Sequence, residues 1–342
     1  MASYLIKDSI TVNIFRLPKN TISPITLAII GGLFLRQFFD YFSVFDDGYQ
    51  YCIKKLLKIG IILLGMRLSF LQMLDVSFAS VLIVIPIIIL TITSVLTISK
   101  YLKIQRRLSI LIAVGTSICG ASAIAAASPA INAKKEEMSY AIANITLFGL
   151  FSMICYPYFA NIIFPENSFA VGLFLGSAIH DTSQVTGAAM IYDQVFMSSD
   201  VLNIATVTKL LRNTAMVAVI PFLAIKFTSS DHKIKRSRNI FKLFPMFILG
   251  FIFFVFLRSL GDFFFLEGKY IFGYLNTDNW MKSISILSFL SKFLLTTSMA
   301  AIGLSTNLRV LKNMGLKTFY FGFTICCFVG LISITIIKII II

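Results

Sequence analysis

Two ionisable residues, His180 and Asp181, stand side by side inside an apolar stretch of this sequence. Ionisable groups are expensive at membrane depth and usually serve an ion or proton pathway, and a histidine changes its charge near neutral pH. Helical spacing places His180, Ser183 and Gln184 on one stripe. We therefore predict that His180 and Asp181 couple a proton. The alternative is a buried polar cluster that only joins helices.

Two basic residues, Lys209 and Arg212, lie three positions apart and so on one face of the next apolar segment. Cations at this depth need an anionic partner, and either Asp181 or an anionic substrate would serve. Snorkelling of both side chains to the membrane surface is the alternative. We predict that the two residues help to bind an anion.

Glycine and hydroxyl residues interrupt two apolar segments, at Gly115–Ile124 and Gly176–Val185. The two stretches are similar over a short length, which indicates either an internal repeat or two separate sites with a similar function. A glycine allows a helix to break, and the new N-terminus offers unpaired N–H groups and a positive dipole end to an anion. Close helix packing through small residues is the alternative. The predicted substrate-binding residues are Thr116, Ser117, Gly120, Ser122, Ser177, Ser183, Gln184, Lys209 and Arg212.

Membrane helices are the elements that must position these residues. Hydrophobic residues make up 58% and charged residues 13% of the 342 residues, and the mean hydropathy is +0.89. A helix crosses the bilayer core in roughly 20 residues, which leaves room for about ten spans. The sequence thus predicts an all-α polytopic membrane protein, with residues 1–20 as a tail and residues 21–342 as a single transmembrane domain. The spans are predicted near 21–42, 51–66, 77–99, 108–131, 138–162, 168–191, 201–226, 240–261, 283–304 and 317–341.

The net charge of +15 comes largely from basic residues at the ends of these spans, with three basic loops at 100–107, 226–242 and 309–317. Such loops stay on the cytoplasmic side. These three loops are therefore predicted to be cytoplasmic and both termini external, a position that the basic N-terminal tail fits less well. The tail has no signal-peptide pattern. Placement at span ends favours a topology signal and contact with anionic lipid over nucleic-acid binding.

The sequence carries no recognisable metal or catalytic motif. Its five cysteines form no CxxC pair and no zinc-like spacing. No HExxH, paired catalytic aspartate or nucleophile motif points to an intramembrane enzyme. We expect neither an enzyme nor a cofactor.

Four motifs together resemble the YeiH family of bacterial inner-membrane proteins, to which sulfate export is attributed; they are Gly115–Ala121, Gly176–Val185, Thr208–Arg212 and Ala301–Leu308. The resemblance runs from about residue 21 to the C-terminus. It implies a fold like that of sodium/proton antiporters and bile-acid transporters. That fold has inverted repeats of five helices, a core domain with crossed broken helices, a scaffold domain interleaved in sequence, and often a homodimer. Family members carry Glu where this chain has Asp181, and some have one more N-terminal helix.

The expected function is secondary active transport of a small anion across the bacterial inner membrane by alternating access, coupled to protons. Sulfate or a sulfonate is the expected substrate. A cation/proton antiporter with Asp181 as the ion-binding carboxylate is one alternative, and a passive anion channel is another. The expected partners are the substrate, membrane lipid and a second copy of the chain.

Overall fold

A computed structural model of the chain describes residues 24–38, 44–227, 246–266, 277–306 and 316–341. Most of these residues are helical, and there is no strand among them. A π-helical turn (Cys52–Leu56) separates the second and third helices, and short 3₁₀ turns follow the third and sixth. The helices are α1 (Pro24–Phe38), α2 (Asp46–Tyr51), α3 (Leu57–Leu64), α4 (Phe70–Tyr101), α5 (Arg106–Ser117), α6 (Ala121–Ala127), α7 (Lys135–Ile163), α8 (Ser168–Ala178), α9 (Thr182–Val195), α10 (Val201–Thr214), α11 (Met216–Phe227), α12 (Phe247–Leu266), α13 (Thr277–Ser305) and α14 (Leu316–Ile340).

Five of these helices, α4, α7, α12, α13 and α14, are long and apolar enough to cross a membrane. The other predicted spans coincide with shorter or interrupted helices: α1, α2 with α3, α5 with α6, α8 with α9, and α10 with α11. The all-α class and a multi-pass membrane protein are thus confirmed, whereas the number of about ten spans stays a prediction.

The start of α4 shows how local polar chemistry sets a helix boundary. The helix begins at Phe70, seven residues before the predicted span. Ser69 and Gln72 form a capping box, in which the Gln72 backbone N–H donates to Ser69 Oγ at 3.3 Å and the Ser69 N–H donates to Gln72 Oε1 at 3.1 Å. This pairing satisfies backbone donors that a helix N-terminus otherwise leaves unpaired. The polar first turn therefore extends the helix beyond its apolar span.

The chain divides into two compact units that are interleaved in sequence. The first comprises residues 1–77, 190–199 and 246–307, and the second comprises residues 78–189, 200–245 and 308–342. All of the predicted site residues fall in the second unit.

Close helix contacts and serine hydrogen bonds hold the first unit together. A methyl group at Gly32 of α1 would lie 2.9 Å from the backbone nitrogen of Leu304 in α13, so the two helices meet backbone to backbone. Ser291 and Ser298 of α13 donate to the carbonyls of Gly60 and Cys52, at 2.7 and 3.1 Å. The second of these bonds is made to the first residue of the π-helical turn. Because the missing side chain admits the neighbouring backbone, glycine at position 32 is a packing requirement.

The second unit is built on a continuous apolar core. Buried residues of α5, α6, the first third of α7, the start of α11 and the first half of α14 contribute to it; they include Leu111, Ile124, Ile145, Met216 and Phe321. This core surrounds the interrupted pair α5 and α6, so their polar backbone is buried in protein as membrane depth requires.

Glycine packing in the first unit is testable by a matched pair of substitutions. Gly32→Ala places a methyl group against backbone atoms that cannot rotate away, whereas Gly31→Ala meets nothing within 4 Å. We expect the first variant to lose about 1–3 kcal/mol of stability, the usual cost of overpacking, and the second to lose almost none. Thermal unfolding of the purified protein in detergent measures both, and equal melting temperatures would contradict the packing.

Candidate functional site

Two interruptions of the helical backbone define the candidate site. The first break (Ile118–Gly120) separates α5 from α6, and the second break (Ile179–Asp181) separates α8 from α9. When the sequence is aligned with itself so that Gly115 matches Gly176, the first break also matches the second. The two motifs singled out in the sequence therefore break their helices at equivalent positions.

Gly120 allows the first break to turn and the two breaks to touch. Its backbone has φ 69° and ψ −129°, a conformation that residues with a side chain rarely adopt. Its N–H donates to the carbonyl of Gly115 at 2.9 Å. A methyl group at Gly120 would lie 2.9 Å from Asp181 Oδ2 and 3.2 Å from Asp181 Cβ. Gly120 thus belongs to the site because its missing side chain allows the two breaks to touch.

Lys209 of α10 lies between the two breaks and is fully buried. Its Nζ donates to the carbonyl of Ile118 in the first break at 2.9 Å. It also donates to the carbonyls of Ile179 and His180 in the second break, at 2.9 and 2.5 Å. An ammonium group has three donors, so the hydrogen-bonding capacity of Lys209 is spent on backbone.

Arg212, one helical turn further along α10, is equally buried and binds the same two helix ends. Its Nε donates to the carbonyl of Ser117 at 2.8 Å, and one terminal nitrogen donates to the carbonyls of Ser177 and Ile179 at 2.5 and 3.1 Å. The other terminal nitrogen donates to the carbonyl of Thr116. Cations stabilise the C-terminal ends of helices, where carbonyls are unpaired and the dipole is negative. Lys209 and Arg212 together supply this stabilisation to α5 and α8.

Two glycines of α8 bring α10 close enough for these bonds. A methyl group at Gly172 would lie 2.6 Å from Cβ of Ile204, and one at Gly176 would lie 2.6 Å from Cβ of Thr208. Ser80 Oγ of α4 also lies 2.8 Å from Thr208 Oγ1. Small residues on one face allow helices to approach closely in a membrane, so the glycines determine where the two cations lie.

Asp181 forms the N-cap of α9 together with Ser183 and Gln184. Its Oδ1 accepts hydrogen bonds from the backbone N–H and the hydroxyl of Ser183, at 2.9 and 2.6 Å. Its own N–H donates to Gln184 Oε1 at 3.2 Å, which completes a capping box. The Asp-x-x-Gln spacing is a sequence signal for this cap that the analysis of ionisable residues missed.

Gln184 also joins α9 to α7. Its Nε2 donates to the carbonyl of Thr146 at 3.2 Å, and its amide occupies the space that a side chain on Gly149 would fill. Thr146 and Gly149 were not predicted as site residues. The sequence does not mark them as site residues, because only the contacts of the Gln184 side chain identify them.

The predicted hydroxyl residues lie around the breaks in different ways. Ser122 is exposed, with its Oγ 2.8 Å from Cys119 Sγ. The Ser177 hydroxyl donates to the carbonyl of Phe174 and to Ser333 Oγ of α14, both at 3.3 Å, while its carbonyl binds Arg212. Thr116 and Ser117 likewise reach Arg212 through their carbonyls. Three of the predicted hydroxyl donors thus enter the site as backbone acceptors.

Two buried polar atoms beside the breaks have no hydrogen-bond partner among the described residues. One is His180 Nδ1 and the other is Asn213 Oδ1, and both residues are only 2% exposed. The Asn213 amide donates to Thr182 Oγ1 of α9 at 3.0 Å, which places Asn213 beside the start of that helix. Buried polar atoms without partners are rare and are often satisfied by a ligand or water.

The charges at the breaks are not paired with one another. In the described part of the chain the ion pairs are Arg36–Asp46 and Arg258–Asp262, and neither Lys209 nor Arg212 forms one with Asp181. Asp181 was one of two partners predicted for these cations. The described residues also contain no group of three His, Cys, Asp or Glu side chains that could hold a metal ion.

Comparisons with known proteins show that the chain is similar to membrane proteins of bacteria. Residues 8–322 match the family model described as conserved hypothetical protein 698. A UPF0324 membrane protein of Fusobacterium nucleatum is 35% identical over 304 residues, which is 86% of this chain and 84% of the relative. A UPF0324 membrane protein of Streptococcus agalactiae is 32% identical over 309 residues, 90% and 87% of the two chains. No solved structure matches. The resemblance to the YeiH family noted from the motifs is confirmed.

Removal of the Lys209 ammonium group tests its structural role. Lys209→Met removes the side-chain donor of the Ile118 and His180 carbonyls, at a cost of about 1–3 kcal/mol for each buried group left unpaired, while the Ile179 carbonyl keeps its bond from Arg212. We expect a large loss of folded protein, measured by size-exclusion profile and thermal unfolding in detergent. Lys338→Met on α14 is the matched control because Lys338 is exposed. Equal stability of the two variants would contradict the role.

Proposed function

Because this chain belongs to the family of conserved hypothetical protein 698, whose relatives include UPF0324 membrane proteins, we propose that it is a secondary transporter of a small anion. The site is the pair of helix breaks held by Lys209 and Arg212. The observation that carries the proposal is the presence of two fully buried cations, Lys209 and Arg212, that form no ion pair with Asp181 or any other acid in the described part of the chain.

The charge balance at the breaks favours an anion. Each helix C-terminus contributes about half a negative charge, so the ends of α5 and α8 together offset about one of the two cations. Asp181 offsets about one more, but the N-terminus of α9 that it caps carries about half a positive charge. The sum is slightly positive before any ligand binds. A partial positive charge surrounded by apolar protein attracts an anion more strongly than the same charge in water.

His180 is the proposed proton-coupling residue. Its Nδ1 is buried without a partner among the described residues. Protonation of this imidazole would add a full positive charge beside the breaks, and a bound anion would compensate that charge. Binding of proton and anion would then favour each other, which is the reciprocity that coupled transport requires. Asp181 lies next in sequence and would take part in the same exchange.

Sulfate or a sulfonate is the proposed substrate class, in agreement with the resemblance to the YeiH family. A tetrahedral oxyanion accepts several hydrogen bonds at once, and the hydroxyl and amide groups around the breaks are suitable donors. The amides of Gln184 and Asn213 each keep one N–H beyond the described bond. The hydroxyls of Ser122 and Ser183 would have to leave their present acceptors, the Cys119 carbonyl and Asp181, to bind the anion. The unit that contains both breaks is proposed as the moving domain in alternating access, and the protein as a homodimer of the bacterial inner membrane.

A cation/proton antiporter is the second candidate, and one observation favours it. Asp181 is only partly buried, and its Oδ2 accepts no hydrogen bond from the described residues. A carboxylate oxygen of this kind is a suitable ligand for sodium or a proton. The two candidates predict different fluxes, so one assay distinguishes them.

Flux measurements in proteoliposomes test the proposal. We expect uptake of radiolabelled sulfate, or its competition by a sulfonate, to follow an imposed proton gradient. His180→Ala should reduce the proton-driven initial rate by about tenfold or more, because alanine cannot carry the proton whose charge favours anion binding. Lys338→Gln, on the exposed face of α14, is the control and should transport like the unmodified protein.

Other outcomes would overturn parts of the proposal. Sodium/proton exchange without anion movement would support the antiporter. Anion flux that ignores the proton gradient would point to a passive channel. Coupled sulfate transport that survives His180→Ala would remove His180 from the coupling step.

A further inference from the structure

The direction of α7 relative to α14 fixes the side on which α7 begins. Asn144 Nδ2 donates to the carbonyl of Thr318 at 2.9 Å, and Ser152 Oγ lies 2.9 Å from Cys326 Sγ. Further along, a methyl group at Gly330 would lie 2.7 Å from the Tyr156 hydroxyl. Residue numbers rise together along both helices, so α7 and α14 are parallel. Both are long enough to span the membrane, and they therefore start at the same face.

This arrangement disagrees with a simple alternation of crossings. If α5 with α6 crossed the membrane once, α7 would start on the face opposite the loop at 100–107. The loop at 309–317, which precedes α14, carries the same predicted cytoplasmic orientation as the loop at 100–107. Parallel α7 and α14 thus require the segment of α5 and α6 to leave the membrane on the face where it entered.

The bend at the first break supports this return. A methyl group at Gly115 of α5 would lie 2.8 Å from the Ile124 side chain of α6. In a straight helix, residues nine positions apart are separated by roughly 13 Å along the axis. The backbone therefore bends sharply at the first break and brings α6 against the end of α5. With 12 residues, α5 reaches roughly 18 Å, about the middle of the bilayer.

The contacts between α8 and α10 show that the chain also returns at the second break. Gly172 and Gly176 of α8 pack on Ile204 and Thr208 of α10, in that order. Arg212, still further along α10, reaches the carbonyl of Ser177 near the end of α8. The order of contacts makes α8 and α10 parallel, so both begin on the same face. The intervening α9 must return the chain to the face where α8 entered.

We propose that α5–α6 and α8–α9 are two re-entrant hairpins that enter the membrane from opposite faces and meet at their tips. Gly120 and Asp181 are the residues in contact at the tips. The same self-alignment of the sequence matches α7 with α10 and α11. Each hairpin and the helix or helices that follow it therefore form one half of an inverted pair. Each tip is reached from one face of the membrane.

The proposal also improves the charge pattern. It moves the start of α7, with Lys134 just before the helix and Lys135 as its first residue, to the cytoplasmic side with the three basic loops. The connection between α7 and α8 moves to the external side. The three basic loops keep their predicted positions, because two re-entrant hairpins remove two crossings and preserve the alternation elsewhere. The inference concerns topology and does not depend on the transported substrate.

Accessibility of single cysteines tests the topology directly. On a background with the five natural cysteines replaced, Gln105→Cys and Glu136→Cys flank the first hairpin, and Glu166→Cys and Asp200→Cys flank the second; all four positions are exposed. A membrane-impermeant maleimide is applied to right-side-out and inside-out vesicles. Labelling after detergent solubilisation gives the reference for complete reaction.

Re-entrant hairpins predict that the two cysteines around each hairpin label from the same face, and that the two pairs label from opposite faces. Straight crossings predict that the members of each pair label from opposite faces, and this result would overturn the proposal. A site that reacts only in detergent is replaced by Lys135→Cys or Pro165→Cys, which are also exposed. Sulfate transport is not needed for the readout, so failure here and failure of the proposed function are distinguishable.

Discussion

Two helices of this protein end inside its second unit, and their unpaired carbonyls are the constraint on which the rest of the site depends. Lys209 and Arg212 donate to six carbonyls at the ends of α5 and α8 and in the two breaks. Without such donors each buried carbonyl would cost energy in an apolar environment. The same bonds compensate two buried cations that form no ion pair with an acid among the described residues. The buried cations therefore satisfy the buried carbonyls, and the carbonyls in turn stabilise the buried cations.

Several other features follow from this arrangement. The glycines of α8 allow α10 to approach, Gly120 allows the first break to touch the second, and Gly149 admits the side chain of Gln184. Gln184 in turn completes the cap on α9 that Asp181 begins. The two breaks are thus held by the protein's own hydrogen bonds, and His180 Nδ1 is a buried polar atom beside them that has no partner among the described residues.

The sequence predicts the location of the breaks because glycine and hydroxyl residues are conspicuous in an apolar run, and the helix ends at Ser117 and Ala178 agree with it. It also identifies Lys209 and Arg212 as unusual, but not what they bind. Pattern analysis looks for side-chain partners, whereas the groups that accept their hydrogen bonds are backbone carbonyls, which every residue carries. The direction of α7 is hidden for a similar reason. An apolar run reads the same whether a chain crosses the membrane or returns, and only contacts such as Asn144 with Thr318 decide it.

A double-mutant cycle on Lys209 and Asp181 tests this account most directly, with thermal unfolding of the purified protein as the readout. If Lys209 acts mainly on the carbonyls, Lys209→Gln should still destabilise the Asp181→Asn protein by more than about half of its effect on the unmodified one, because the carbonyls lose the same donor in both backgrounds. If Lys209 is instead the counter-ion of Asp181, removing both charges should restore much of the stability that Lys209→Gln alone removes. That rescue would contradict the central role of the backbone carbonyls.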